Sequence, residues 1–454
     1  MHKIIKFFLV IAFLMILGCT SHNKLPYDLL HYSQDPYSYV DAERGDSLIV
    51  SKIDQAKTDS LSMIRYYSSW SDSMLTDTLT TNKLLAYYQQ KVLSLKKYPG
   101  IGENKLTRDS TFFYEMQTRT NLASGFNKFQ KGIMLEKAHI RVLPTIKPYF
   151  LDFERAGEGY PFDYWQNSTI PMATPIFVYH DIDNWVLISC HLCSGWVEKD
   201  KIAFLNNDEI ASLKLPNRVA ITEDRSPIYS KTNEYLGSAD IGTFFTFLFQ
   251  DERHYKASFV KRNEWGFGEL IVINIPLDKA DRMPISLTQN NVAGIASKMM
   301  NQTYGWGGMY FNRDCSQMTL DIFTPFGLIL PRNGNHQASN GGNFISTEGL
   351  EIKDYDDFII NNSLPFASLV RIPGHIMLYL GEEAGKPIVM HNIWGLRTKG
   401  FWGKEGRYII GKTVITGMEL GRDIPKVDKK RLMLNRLSGV VNLFNPVNEE
   451  DKKH

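Results

Sequence analysis

The chain has 454 residues, 43% of them apolar and 22% charged, an ordinary globular balance, and a length that suits about two to four separate cores. A net charge of +2, with no long run of Lys or Arg, excludes a protein that grips nucleic acid through a basic surface. Aromatic residues make up 12% of the chain, and many of the 22 tyrosines fall in loop-like contexts, which suits contact with carbohydrate or peptide.

The amino terminus carries His2, Lys3 and Lys6 ahead of an uncharged apolar run over 7–17, too short to cross a bilayer. That run ends in Ile16-Leu17-Gly18-Cys19-Thr20, which resembles a bacterial lipobox. The resemblance implies removal of residues 1–18 as a signal peptide and lipidation of Cys19, a diacyl anchor that holds where a single chain does not. Thr20 stands where an Asp often marks inner-membrane retention. The expectation is therefore a lipoprotein of the cell envelope, at the outer membrane and facing the periplasm. Residues 20–35 read as an extended polar tether. From 41 to about 137 the spacing is helical, with Leu84, Leu85, Tyr88, Val92 and Leu95 three and four apart. We take 19–135 as tether and helical domain.

At 136 the texture changes to short alternating strands punctuated by Gly, Pro and Asn-Asp turns, the pattern of small β-barrels. Two successive sets, 136–212 and 213–284, look like tandem bacterial SH3-like modules. In the first, Pro161-Phe-Asp163-Tyr164-Trp-Gln-Asn-Ser168 is polar and aromatic, more a contact loop than a core strand. Cys190-His-Leu-Cys193 lies in a strand-like run without a second ligand pair, so neither a zinc site nor a thioredoxin-like site is indicated. The pair reads as structural, either as buried thiols or as a local disulfide. Cys315 is then left over, unpaired.

Residues 285–425 form a third texture, α+β, with helices first and sheet after. Tyr304-Gly-Trp306-Gly-Gly precedes Asp314-Cys315-Ser316, and Met318, Ile322 and Phe326 follow at helical spacing. Asp314 is a good N-cap, so Cys315 falls in the first turn, where the helix dipole favours thiolate. Downstream, Gly374-His375-Ile-Met-Leu-Tyr-Leu-Gly and Pro387-Ile-Val-Met-His391 flank a turn. A simple hairpin places the two imidazoles directly opposite, roughly 5 Å apart. A cysteine on a helix start facing two histidines is a base-activated nucleophile with its orienter. Residues 426–454 are basic, then weakly amphipathic, and read as a C-terminal helix and tail.

These motifs together resemble the NlpC family (NlpC/P60 superfamily) of papain-like cell-wall cysteine peptidases, in a subgroup that also carries Gly159-Tyr-Pro-Phe-Asp-Tyr164 and Leu330-Pro-Arg332. The resemblance implies a helical N-terminal domain, two SH3-like barrels and a papain-like catalytic domain, a multidomain α+β architecture. It implies Cys315 as nucleophile, His375 as base, His391 as orienter and Tyr304 as an oxyanion donor beside the Cys315 N–H. It further implies that Asp314 and Ser316 take the free amine of a peptidoglycan stem peptide. Trp306, Asp163 and Tyr164 then line the substrate side, with Asp163-Tyr164 walling off the pocket. The implied reaction is hydrolysis of the γ-D-glutamyl to diamino acid bond next to a free L-Ala, as in dipeptidyl-peptidase VI-like γ-D-glutamyl-L-diamino acid endopeptidases, with no cofactor or metal. Asn333-Gly-Asn-His336 departs from the acidic, hydroxyl-bearing run more usual there. An amidase or acyltransferase on the same fold, or a catalytically retired wall-binding lipoprotein, are the rival readings. Intact Cys315, His375 and His391 weigh against the last.

Overall fold

The computed structural model describes residues 25–399 and 405–444; Cys19 and its lipobox lie outside them. No helix among the described residues is long and apolar enough to cross a membrane. Helix Lys52–Tyr66 begins at Ser51, whose hydroxyl accepts the Asp54 N–H. One face of it, Gln55, Asp59, Ser62, Met63 and Tyr66, is buried. Gln55 donates to the carbonyls of Ile285 and Phe326, and Met63 and Tyr66 enter a core shared with the second barrel and the C-terminal domain. Helix Thr78–Ser94 instead packs on the first barrel, where Tyr88 meets Leu187 and Trp196.

The expected tether is shorter than its sequence suggested. Residues Tyr27–His31 form a helical turn docked on the C-terminal domain, with Asp28 accepting the Gly417 N–H at 2.9 Å and Gln34 pairing with both backbone groups of Ile415. Polar side chains that seemed suited to solvent here satisfy backbone groups at a sheet end.

Two seven-stranded antiparallel sheets follow, spanning Gln130–Met134 to Ile202–Phe204 and Arg218–Ile221 to Ala280–Met283. The first sheet starts ahead of the 136 boundary, because Gln130–Met134 bridges the strands Pro175–Ile182 and Ile202–Phe204.

The third sheet has six strands in the order Asn343–Ser346, Gly439–Asn442, Ser368–Ile372, His375–Glu383, Lys386–Lys399, Glu405–Thr416. Its second member corrects the expected C-terminal helix. Residues 429–436 make only two single 3₁₀ turns, and Gly439–Asn442 inserts between the strands Asn343–Ser346 and Ser368–Ile372. Adjacent Val440 and Val441 are both fully buried, one in each of two cores on opposite sheet faces. A pleat serves two opposed β-branched residues; a helix surface does not. The helix Cys315–Phe323 packs across strands His375–Glu383 and Lys386–Lys399, burying Met318, Ile322 and Phe323.

Candidate active site

Asp314 caps the helix Cys315–Phe323, its Oδ1 accepting the Gln317 N–H at 2.9 Å, so Cys315 is the first helical residue. The thiol is half-buried, beside the backbone N–H of Ile376, in a cleft of about 1220 Å³. Tyr304, Trp306, Asp314, Ser316, Arg332 and His375 share that cleft.

The hairpin histidines meet, though not by the simple register. A bulge between Tyr379 and Gly381 shifts the ladder so that Leu378 pairs with Met390. Continued by one residue, His391 stands beside Met377, diagonal to His375 and not opposite it. The diagonal still brings the rings to 5.0 Å, and His375 Nε2 lies 2.7 Å from His391 Nδ1. His391 Nε2 lies 3.1 Å from the Thr416 hydroxyl, which itself donates to the Gly417 carbonyl at 2.8 Å. With that proton committed, Thr416 accepts from His391 Nε2–H. His391 Nδ1 is then an acceptor, His375 donates through Nε2–H, and His375 Nδ1 is the lone pair left for the thiol. The sequence offered no sign of Thr416, which lies on the neighbouring strand.

Electrostatics set the resting state. Burial, then the Asp314 carboxylate, push the Cys315 thiol up to about 12, and the Ile376 and Ser316 amides do not offset them. Burial, then the Arg436 charge, bring His375 down to about 4, and burial holds His391 well below the ordinary imidazole value. The pair is therefore neutral thiol and neutral imidazole at rest. The thiolate expected from the helix dipole is overridden because desolvation disfavours the charged form more than the amides favour it. Tyr304 is nearly buried, and burial, then charge at Cys315 and Asp314, raise its phenol well above the usual range, so it is a protonated donor beside the nucleophile.

Asp314 is not a bare carboxylate. Arg332 grips both its oxygens, at 3.1 and 2.7 Å, and it also accepts from Ser316 Oγ, Gln317 N and Gly307 N. Burial alone would raise this carboxyl; the guanidinium holds it below its usual value. Arg332 reaches on to Ser316 Oγ and to Ser168 Oγ of the first barrel. Asp314 is thus held in an internal ion pair, and with Ser316 it braces the start of helix Cys315–Phe323. Gln337, unremarked in the sequence, locks the same turn by donating to the Ser316 carbonyl at 2.8 Å and accepting from Thr319.

The first barrel forms one wall of the cleft. Tyr164 and Phe162 line it, and the Phe162 and Trp306 rings meet edge to face at 5.1 Å. Asp163, expected beside Tyr164 at the pocket, is instead 1% exposed, taken up by Arg141 at 2.7 Å and by the Tyr149 and Trp165 amides. Chain alternation turns it inward, and only its carbonyl reaches the site, accepting from Trp306 Nε1. Gly307 and Gly308, at φ +58 and +84, lie so close to this barrel that a Cβ would sit 2.6 Å from Gln166 O and 2.2 Å from Thr169 Oγ1. The glycines of the Tyr304 motif are contact glycines. Cys190 and Cys193 are free thiols below this wall.

The fold defined by these elements is shared with one solved NlpC/P60 structure. Residues 148–198 match the SH3 domain family of SH3b1 type. A novel NlpC/P60 endopeptidase from Photobacterium damselae subsp. piscicida superposes with a TM-score of 0.78 at 24% identity, covering 92% of this chain and 98% of its own. An NlpC/P60 family protein from Bacillus cereus aligns over 69% of this chain and 100% of its own, at 14% identity and a TM-score of 0.47. No curated protein sequence matches the chain.

Proposed function

We propose that the protein is a cysteine endopeptidase of the bacterial cell wall, cutting the γ-D-glutamyl to diamino acid bond of peptidoglycan stem peptides. The observation that supports it is the hydrogen-bonded run His375, His391, Thr416, with His375 and Cys315 lining one cleft walled by an SH3-like barrel. His375 Nδ1 takes the thiol proton as Sγ attacks the carbonyl carbon. The Cys315 N–H and the Tyr304 hydroxyl receive the oxyanion, which collapses to a thioester as His375 protonates the leaving amine. Water activated by the same imidazole then frees the acyl half.

Because the imidazole protonates the leaving amine, the diamino acid lies on the His375 side. The L-Ala-γ-D-Glu half lies toward Ser316, Trp306 and Tyr164, where the barrel wall favours a short substrate with a free N-terminus. We further propose that the chain works in the cell envelope, held to a membrane through Cys19. In a peptide-release assay, Cys315→Ala is expected to abolish turnover while leaving the melting temperature nearly unchanged, since both residues are small. Near-normal turnover in that variant would sink the mechanism.

A further inference from the structure

Cys190 and Cys193 take no part in the proposed reaction, yet their surroundings are specific. The last ladder pair of the strands Trp185–Ser189 and Ser194–Glu198 is Ser189 with Ser194. One residue further on, the Cys190 N–H donates to the Cys193 carbonyl at 2.8 Å, so the two cysteines close the hairpin opposite each other. Hydrogen-bonded cross-strand residues have Cα atoms about 5.5 Å apart, inside the range of about 4.4–6.8 Å that a disulfide spans. Both are free thiols and half-buried. The Cys193 thiol donates to Cys190, and with the Cys193 and Leu192 amides it draws Cys190 below the ordinary thiol value against desolvation; Cys193, as the donor, lies well above it. An acidic thiol beside a protonated partner is the arrangement of an attacking and a resolving cysteine.

The pair also opens on the cleft, which His191, Leu192 and Cys193 help to line. Cys193 touches the Ser168 hydroxyl, whose oxygen accepts Arg332 Nε–H at 2.8 Å, and Arg332 grips Asp314, the cap of helix Cys315–Phe323. We infer that Cys190 and Cys193 are a thiol–disulfide exchange site for a small organic disulfide entering by the cleft, and that the state of the pair reaches Cys315 through Ser168, Arg332 and Asp314. A half-buried pair inside a cleft admits a small reagent in preference to a folded protein. In the exchange Cys190 Sγ attacks one sulfur of the incoming S–S bond, releasing one reagent thiol and leaving a mixed disulfide. Cys193 Sγ then attacks Cys190 Sγ and releases the second reagent thiol. One S–S bond breaks and one forms; the reagent gains two electrons and the two protons that the cysteines lose. Ring closure draws Cys193 toward Cys190 and away from Ser168, which loosens the hold of Arg332 on the cap.

The test equilibrates the full chain with oxidised and reduced glutathione in varied ratio, quenches in acid, alkylates and maps the peptides by mass spectrometry. The peptide carrying 190–193 should lose two hydrogens and regain them in excess reduced glutathione, while Cys315 stays unmodified because burial keeps its thiol protonated. Cys193→Ser should stop at the mixed disulfide, with glutathione on Cys190, and Cys190→Ser should take up none. A pair that stays reduced in oxidised glutathione alone, or that carries glutathione on both sulfurs without closing, overturns the exchange site. The coupling is read from the rate at which iodoacetamide alkylates Cys315, which needs no peptide substrate and is decided apart from the proposed reaction. Oxidation of the pair should slow it about fivefold, the size of one net hydrogen bond, and Cys190→Ser should keep the reduced rate in oxidised glutathione. An unchanged rate in the oxidised parent, or the same slowing in Cys190→Ser, overturns the coupling.

Discussion

Burial moves Cys315 and His375 in opposite senses, the thiol up to about 12 and the imidazole down to about 4, and the pH behaviour follows from that. The base must be neutral to act, so the acid limb of kcat/KM should fall near pH 4 and not near the ordinary imidazole value of about 6.5. A limb near 6.5 in a pH–rate profile would mean a more solvated imidazole than the one described. Stability carries the same sign. His375 and His391 are folded neutral, so their contribution is complete above pH ~6.5 and is lost as the unfolded chain takes up protons below it. Thermal melts should show the loss setting in below that pH. Thr416→Val removes the acceptor that fixes the His391 tautomer and leaves a buried N–H unpaired, at a cost of about 1–3 kcal/mol. About tenfold or more should be lost from kcat, with KM little changed; an unchanged kcat would show that the tautomer is fixed elsewhere. The sequence made Cys315 and both histidines legible because their spacing on a helix start and a hairpin is local. Thr416 and the grip of Arg332 on Asp314 come from other elements, brought in by the fold, and no spacing encodes them.

Helix Cys315–Phe323 was readable from its cap and the period of its apolar residues, although every residue from Ser316 to Phe323 is buried. Strand Gly439–Asn442 lies between two others with both faces buried, so its apolar residues follow no alternation, and leucines at 434 and 437 imitate a helical step. The bulge at Tyr379 and Gly381 was invisible for a related reason, since one extra residue shifts register without altering composition. At this scale the glycines of the Tyr304 motif make a clear prediction. Gly308→Ala forces a Cβ to 2.2 Å from Thr169 Oγ1 at a positive φ. Left-handed strain alone costs about 1–3 kcal/mol, so the melting temperature should drop and the Trp306 wall should move off the barrel. A variant as stable and active as the parent would show the loop free to shift.

The whole molecule brings its domains together at the catalytic helix. Arg313, one residue before the cap, holds Asp321 within that helix at 2.7 Å and forks onto Asp224 of the second barrel at 2.6 and 2.8 Å. On the other side Arg332 joins the helix to Ser168 of the first barrel, and Asp59 of helix Lys52–Tyr66 pairs with Arg218 of the second. Removing one partner of a buried pair costs about 3–5 kcal/mol. Asp224→Ala should therefore lower stability by up to that amount, with Asp321 still partnering Arg313, and calorimetry should show the barrel and catalytic domain losing cooperativity together. Domain textures were legible along the chain, but their contacts were not, because the joining side chains are single polar residues inside otherwise ordinary strands and loops.

We propose that Cys315 cuts loosened stem peptides at the γ-D-glutamyl bond. Mass spectrometry of the soluble body incubated with L-Ala-γ-D-Glu-diaminopimelate and, separately, with intact sacculi tests it most directly. We expect release of the L-Ala-D-Glu dipeptide from the tripeptide, lost in Cys315→Ala, with sacculi untouched. Sacculi cut while the tripeptide is ignored would contradict the account and favour an amidase acting between sugar and peptide.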